Sequence, residues 1–297
     1  MADDNHQHPK GKLVIGAFHQ IPIGLRRMLF TGLFRLFFSL SLKHRLIVIH
    51  NLRHAFPEKT LSEIRRIASG VYRNIGIVAA EFFDIPYLTP ENIHQRIIVE
   101  GMDHCREALK RNRGLLMFGA HFGNWELEAV AFAHLMQPMV VIYRPLDSNL
   151  LDNLVLRVRS SGDNIPLAKD KAMRPMLRHL KNNDVLGILI DQNVASYEGV
   201  FVDFFGRPAC TTDGLALLAL HTKAPVLPGY MVRLADGKYR LVIGEEVTIV
   251  QTGDRDADIA VNTQNFTQII ENMIRQYPDQ WLWVHQRWKT KPWQKRK

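Results

Sequence analysis

The sequence predicts an α/β protein with a mixed, largely parallel sheet flanked by helices. From residue 95 onward, short apolar runs alternate with amphipathic stretches, which is the rhythm of repeated βα units. Four of the apolar runs lack strict alternation of polar and apolar residues, as expected for strands that helices cover on both faces; they lie at 115–119, 139–143, 185–190 and 225–232. We therefore expect an α/β domain over residues 58–297, preceded by an N-terminal segment over 1–57.

The N-terminal segment predicts association with a membrane. Its start, MADDNHQHPKGK, carries acidic residues where a secretory signal has basic ones, so we expect no cleavable leader and a cytoplasmic location. Residues 28–42 are strongly apolar with basic flanks, but they include Arg35 and fall short of the ~20 residues that span a bilayer. A helix lying in the interface of an anionic membrane is expected, and a buried core helix is the alternative.

The elements that follow Pro57 can be assigned in order. Thr60 and Glu63 form a capping-box pattern before apolar residues at helical spacing, which predicts a packing helix over 60–83. A strand in QRIIVEG and a helix in MDHCREALKRNRG follow this helix. The next three predicted helices alternate with the apolar runs; they lie in NWELEAVAFAHLM, at 147–159 and in KAMRPMLRHLKNN. A loop precedes the helix TDGLALLALHTKA; KYRLVIGEEVTIV predicts one or two strands and ADIAVNTQNFTQIIENMIRQY a closing helix.

Ligands of open α/β sheets gather beyond the carboxyl ends of the strands. The residues that follow the predicted strands are polar, namely His121, Arg144, Asp191 and Arg233.

His121 and Glu126 are the candidate catalytic pair. Asn124 is a good helix N-cap, which places Glu126 in the first turn, where the helix dipole favours a carboxylate. On one helix, side chains five positions apart point about 140° away from each other, so the pair could not form if both residues were helical. His121 lies in the turn before the helix, where Gly119 and Gly123 allow a tight turn and the close approach of a substrate to the backbone. A carboxylate on one ring nitrogen leaves the other free to take a proton from a hydroxyl. The alternative is a histidine at the sheet edge beside an ordinary first-turn acid.

Other kinds of site are not indicated. The sequence holds no GxSxG elbow, P-loop, HExxH or CxxC, so a nucleophile would come from the substrate. The two cysteines, Cys105 and Cys210, are too few for a disulfide framework or a four-cysteine zinc site, and we expect no metal. The net charge of +9 favours nucleic acid, an anionic membrane or an acidic partner protein.

Four sequence blocks together resemble a known family. HFGNWE at 121–126 fits the H-x4-D/E motif of the glycerolipid acyltransferase superfamily. The other blocks are NLRHAFPE at 51–58, FFGRPA-x-T-x-x-G at 204–214 and YPDQWLWVHQRWKT at 277–290. They resemble the bacterial lipid A branch, the Kdo2-lipid IVA lauroyl/myristoyl acyltransferases. H-x4-E alone is only moderately specific, whereas the four blocks in this order are strongly indicative over nearly the whole chain.

The resemblance implies an acyltransferase that needs no cofactor. His121 would deprotonate a 3-hydroxyl on a lipid A precursor, Glu126 would orient the imidazole, and the alkoxide would attack an acyl carrier protein thioester. Arg144 resembles the superfamily's substrate-binding block and suits phosphate recognition. Asp191 and Gln192 stand where related enzymes carry a third block and are substrate-binding candidates; Asp191 would bind sugar or assist the site, and a helix cap or a loop-ordering role is the alternative. This chain departs from the FPEG pattern of glycerol-phosphate enzymes, which weakens the case for a glycerol phosphate acceptor. The weaker substrate-binding candidates are Asn124, Arg207 and Arg233, and surface or structural roles are the alternative.

The tail WLWVHQRWKTKPWQKRK interleaves four tryptophans with basic residues. This pattern suits a membrane interface, and it also suits stacking on single-stranded nucleic acid. We favour the membrane, because residues 28–42 require the same surface. A packed cap over the sheet is the alternative for Trp281 and Trp283, and we expect structural roles for His285 and Arg287.

The leading hypothesis is an acyltransferase on the cytoplasmic face of the inner membrane. Its partners would be acyl carrier protein, the lipid A precursor and anionic lipid. A lysophospholipid or an ornithine lipid is the alternative acceptor, and a hydrolase of the same fold would use His121 on water. A basic nucleic-acid-binding protein is the alternative of another class; it leaves the H-x4-E block unexplained, so we expect no nucleic acid partner.

Overall fold

The computed structural model describes residues 9–170 and 172–293, which contain a seven-stranded sheet and a separate hairpin. The sheet has the order β1-β9-β8-β2-β5-β3-β4, and every neighbouring pair is parallel except β8 and β9. Its strands are β1 (Ile97–Glu100), β2 (Leu115–Gly119), β3 (Met139–Tyr143), β4 (Ile165–Ala168), β5 (Val185–Leu189), β8 (Val226–Arg233) and β9 (Tyr239–Ile243). The hairpin pairs β6 (Gly199–Asp203) with β7 (Pro208–Thr212).

Ten α-helices cover the sheet within the described residues. They are α1 (Pro9–His19), α2 (Ile23–Leu40), α3 (Leu42–Ala55), α4 (Leu61–Glu81), α5 (Met102–Leu109), α6 (Trp125–Leu135), α7 (Asn149–Arg159), α8 (Met173–Lys181), α9 (Gly214–Thr222) and α10 (Arg255–Gln276). The predicted capping box is confirmed, because the Thr60 side chain accepts a hydrogen bond from the Glu63 backbone and the Glu63 carboxylate accepts one from the Thr60 backbone. The predicted α/β class is therefore confirmed.

Three strands differ from the sequence expectation. The four-residue edge strand β4 contains Pro166 and was not predicted, because so short a run gives no clear pattern. The hairpin β6–β7 occupies a stretch that was expected to be loop; it lies outside the main sheet and packs on α10. The segment KYRLVIGEEVTIV was expected to form one or two strands; it forms the single strand β9 and continues as irregular backbone, which agrees with that expectation.

The sheet separates two apolar cores. Along β2, Leu116 and Phe118 point to one face, where they join residues of α4, α9 and α10. Leu115 and Met117 point to the other face, where they join residues of α5 and α6. Both faces of the central strand are buried, as the continuous apolar run predicted. Residues that follow β2 therefore emerge at the middle of the sheet's carboxyl edge.

The N-terminal residues form α1, α2 and α3, and the helix expected over 28–42 corresponds to α2, which begins at Ile23 and ends at Leu40. Helix α2 packs closely on α4, where a Cβ on Gly76 would lie only 2.7 Å from the Thr31 Cα. Val48 and Leu52 of α3 are fully buried in the core beneath the sheet. The outward face of α2 is apolar and exposed; it presents Leu25, Met28, Leu29, Leu33, Leu36, Phe37 and Leu40. Over the described residues, no helix has both the length and the apolarity that crossing a bilayer requires.

Candidate active site

A cavity of about 950 Å³ opens at the carboxyl ends of β2, β3 and β5. Its polar lining includes His121, Glu126, Arg144, Arg159 and Gln192. The cavity extends along both faces of the sheet, because apolar residues from both faces line it. One side carries Phe118, Ile188, Met176, Leu215 and Leu218, and the other carries Met117, Phe132, Met139, Val141 and Leu189. The arrangement suits a ligand with a polar reacting group and long apolar chains.

Asp191 holds His121 at the mouth of this cavity. Its Oδ1 lies 2.8 Å from His121 Nδ1, and its Oδ2 accepts the His121 backbone N–H at 3.0 Å. The indole of Trp281 donates a third hydrogen bond to Oδ2 at 2.7 Å. The strands that these residues follow, β2 and β5, are neighbours in the sheet. The parallel register therefore brings together two side chains that are 70 residues apart.

The Asp191 carboxylate is ionised at neutral pH although it is buried. Burial raises its pKa, but the attraction of His121 and the hydrogen bonds from His121 and Trp281 outweigh burial and lower the pKa to about 2. An ionised partner requires Nδ1 to carry a proton, so Nε2 of the neutral ring is the proton acceptor. The side-chain nitrogen of Gln192 lies 3.4 Å from that Nε2.

The expected pairing of Glu126 with His121 is not what the structure shows. Glu126 makes a bidentate pair with Arg159 at the end of α7, at 2.8 and 2.6 Å, and accepts a hydrogen bond from the Trp125 indole at 3.1 Å. A guanidinium matches both carboxylate oxygens at once, which a ring nitrogen cannot do. The Trp125 ring lies 5.5 Å from the imidazole and bridges the two pairs. Glu126 thus fixes Arg159 in the cavity wall, and Asp191 supplies the carboxylate for His121.

Asn124 and Arg233 belong to a buried network rather than to the cavity wall. The fully buried Asn124 caps α6 through Leu127 and donates to Glu81 Oε2 at 2.9 Å. Arg233 bonds to Glu81, Asn74 and the Tyr239 hydroxyl. Both candidates were expected to bind substrate; their positions in the structure instead make them supports of the turn that carries His121.

The other predicted substrate-binding residues divide between the cavity and the outer surface. Arg144 is exposed and lines the cavity after β3, and Gln192 lines it after β5. Arg207 is exposed in the turn of the β6–β7 hairpin and lies outside the cavity lining. The structure therefore brings Arg144 and Gln192 to the same cavity as His121 and leaves Arg207 outside it.

The tryptophan-rich tail packs into the protein. Trp281, Trp283 and Trp288 are at most 9 % exposed, so these rings neither lie in a membrane interface nor stack on nucleic acid bases. His285 accepts a hydrogen bond from the Asn193 backbone at 2.9 Å, and Arg287 donates to the Cys210 carbonyl at 2.8 Å. The interfacial interpretation of these three tryptophans was wrong, because alternating aromatic and basic residues also occur where a segment packs beside a site. Trp293 is exposed, and residues 294–297 lie outside the described ranges.

Sequence reasoning missed Arg159, Trp281 and Glu128 as residues of the site or its support. Arg159 carries no local signal, since it ends a helix 33 residues after its partner. Trp281 lies in the block YPDQWLWVHQRWKT, whose aromatic and basic composition led us to assign it to a membrane interface. Glu128 lies two residues after Glu126 and lines the cavity. In the described parts of the chain, no group of three or more His, Cys, Asp or Glu side chains could hold a metal ion.

We expect Asp191→Asn to remove a pH-dependent contribution to stability. A pKa lowered from 3.8 to about 2 corresponds to about 2 kcal/mol. Because the folded-state pKa lies below the unfolded one, this contribution is complete above pH ~4 and disappears as the pH falls toward 2. Denaturant unfolding of both proteins from pH 2 to 6 measures it. Asp184→Asn is the matched control, since Asp184 pairs with His179 at 2.7 Å on the surface; an equal pH dependence in both variants would contradict the assignment.

Comparison with known proteins identifies the family. The model of the bacterial lipid A biosynthesis acyltransferases matches residues 11–290. The lipid A biosynthesis palmitoleoyltransferase of Escherichia coli K12 is 29 % identical over 82 % of this chain and 78 % of its own length. The lauroyltransferase of the same organism is 29 % identical over 92 % and 88 %, and its myristoyltransferase is 21 % identical over 97 % and 90 %. The chain belongs to the bacterial lipid A biosynthesis acyltransferase family and is an acyltransferase.

Proposed function

We propose that the protein transfers an acyl chain from an acyl carrier protein thioester to a hydroxyl of a Kdo2-lipid IVA-like lipid A precursor, with His121 as general base. The observation that carries this proposal is the His121–Asp191 pair at the mouth of a cavity with apolar walls. The family membership and the names of the E. coli relatives support the choice of acceptor.

The proposed reaction begins with proton transfer from the acceptor hydroxyl to His121 Nε2. The alkoxide oxygen forms a bond to the thioester carbonyl carbon, and the carbonyl electrons move to its oxygen. Collapse of this intermediate breaks the carbon–sulfur bond, and the departing thiolate takes the proton back from the imidazolium. The ionised Asp191 stabilises the imidazolium between these steps.

Arg159 is the proposed stabiliser of the oxyanion. Its side chain is 18 % exposed in the cavity wall, and the two bonds to Glu126 fix the plane of the guanidinium. A cation fixed before the reaction stabilises developing negative charge without reorganisation. In this assignment Glu126 acts by positioning Arg159. Arg144, exposed at the mouth, is the proposed contact for a phosphate of the acceptor.

We expect His121→Ala to abolish acyl transfer and leave the fold intact. Mass spectrometry after incubation with a panel of acyl carrier protein thioesters and Kdo2-lipid IVA measures it, and a gain of one acyl chain identifies donor and acceptor together. His179→Ala is the matched control, because His179 also pairs with an aspartate, away from the cavity. Near-normal turnover of the His121 variant would contradict the assignment of the base.

The same assay separates the alternative acceptors. Product from a lysophospholipid or a lyso-ornithine lipid, with none from Kdo2-lipid IVA, would retain the chemistry and replace the acceptor. Free fatty acid formed without any acceptor would indicate a hydrolase.

We expect Glu126→Gln and Arg159→Gln each to lower kcat by about tenfold or more, because either change disrupts the proposed oxyanion contact. The double variant should lose little beyond the worse single variant, since the two side chains act as one unit. The control cycle combines Glu126→Gln with Asp191→Asn. The fold-decreases in kcat of these two single variants should multiply more nearly in their double variant. Strong coupling of Glu126 to Asp191 instead would restore the original pairing of Glu126 with His121.

We also propose that the N-terminal segment, residues 1–57, docks the enzyme on the cytoplasmic face of the inner membrane. The apolar outward face of α2 and the basic residues Arg35, Lys43 and Arg45 support this proposal. An apolar helix face with basic neighbours suits anionic headgroups over an acyl layer. The polar residues 1–8 of this segment lie outside the described ranges.

We expect Leu33→Glu with Leu36→Glu to weaken sedimentation with anionic phospholipid vesicles by about tenfold or more, because both side chains are more than half exposed on α2 and would enter the acyl layer. Val261→Glu, an exposed apolar position on α10, is the control and should bind as the wild type does. Equal binding by all three proteins would contradict the docking face.

A further inference from the structure

A carboxyl group lies inside the apolar part of the cavity beneath α6. Glu128, in the first turn of that helix, lines the cavity together with Met117, Phe132, Met139 and Leu189. Along α6, Glu128 lies between Glu126, at the mouth of the cavity, and Phe132. The residue is half-buried and faces the space that a bound chain would fill.

Glycines make room for this carboxyl on the sheet. Gly119 of β2 and Gly229 of β8 face α6 side by side, and a Cβ on Gly229 would lie 3.2 Å from Glu128 Oε1. A Cβ on Gly119 would lie 3.8 Å from the same oxygen. Gly187 of β5 lies on the same face, where Met139 packs over it. We call the part of the cavity between this face of the sheet and α6 the α6 channel; it is lined by Met117, Glu128, Phe132, Met139 and Leu189.

Glu128 has no polar partner in the described part of the chain. No hydrogen bond or ion pair to its carboxyl is present, in contrast to Glu126 and Asp191. Burial alone raises its pKa to about 8, so at neutral pH the group is mostly the uncharged acid, with one donor and one acceptor oxygen. An ionisable group among apolar side chains and without a polar partner is costly, and a polar group on a bound ligand would supply that partner.

At Gly229, the side chains that lie beside Glu128 Oε1 are those of Met117 and Ile243, which are apolar, so a water there has few polar contacts. A hydroxyl carried on a bound acyl chain needs only the carboxyl and arrives with the chain. Gly119, the last residue of β2, precedes His121 by two residues, or roughly 7 Å of extended chain. The matching hydroxyl therefore lies near the carboxyl end of the chain.

We propose that Glu128 is a specificity-determining residue that hydrogen-bonds a hydroxyl group on an acyl chain in the α6 channel, so that the enzyme favours a hydroxylated chain over a plain chain of equal length. The inference rests on the proposed acyl transfer. The hydroxyl belongs either to the donor's chain or to an acyl chain of the acceptor, and the experiment below separates these two sources.

The test is competition between matched substrates of the full-length enzyme. In the donor arm, plain and 2- or 3-hydroxylated acyl carrier protein thioesters of equal length compete for one acceptor, and mass spectrometry counts products that differ by one oxygen. In the acceptor arm, one plain donor is offered acceptors with and without a non-reacting hydroxyl on their chains. We expect the wild type to favour the hydroxylated substrate in one arm by about three- to tenfold, and that arm identifies the source.

Variants of Glu128 connect the preference to the carboxyl. Glu128→Leu should lose the preference or favour the plain chain, whereas Glu128→Gln should keep it, because an amide also bonds to a hydroxyl. Glu128→Met provides a second apolar variant should the leucine variant fold poorly. Equal use of both substrates by the wild type in both arms, or an unchanged preference in the apolar variant, would overturn the proposal. Absence of product with every substrate would instead contradict the acyl transfer on which it rests.

Discussion

The candidate site depends on one buried, ionised carboxylate. Asp191 accepts three hydrogen bonds, two from His121 and one from Trp281, and these bonds lower its pKa although burial raises it. Because both oxygens are engaged, the imidazole cannot rotate without breaking a charge-assisted bond. Three separate parts of the chain are fixed relative to one another by this group.

A second buried carboxylate, that of Glu81, stabilises the turn that carries His121. Glu81, at the end of α4, bonds to Arg27 of α2, to Arg233 and Tyr239 of the sheet, and to Asn124 at the start of α6. These bonds satisfy the amide and guanidinium groups that would otherwise be buried without partners. They also connect the exposed helix α2 to the turn that follows His121. The position of that turn is therefore set by packing on both sides of the sheet.

The sequence predicted the strands well and the partner of the histidine poorly, for one physical reason. A strand buried on both faces leaves a continuous apolar run, which is visible locally at 115–119 and 185–190. Whether two such strands are neighbours depends on the order of strands in the sheet, which no local pattern records. Glu126 was therefore preferred to Asp191, because it is close in sequence. The tail was assigned to a membrane interface for a similar reason. Tryptophans are common both in protein cores and at membrane surfaces, and composition does not distinguish the two environments.

The isolated β-bridge between Phe122 and Trp281 has a consequence for the order in which the site forms during synthesis. The indole that donates the third hydrogen bond to Asp191 lies 90 residues after that aspartate in the sequence. During synthesis, the histidine and its carboxylate leave the ribosome long before this tryptophan does. A nascent or prematurely ended chain therefore lacks one of the three bonds that stabilise the ionised carboxylate. The carboxylate and the histidine therefore reach their complete set of hydrogen bonds only after residue 281 has been synthesised and has packed against them.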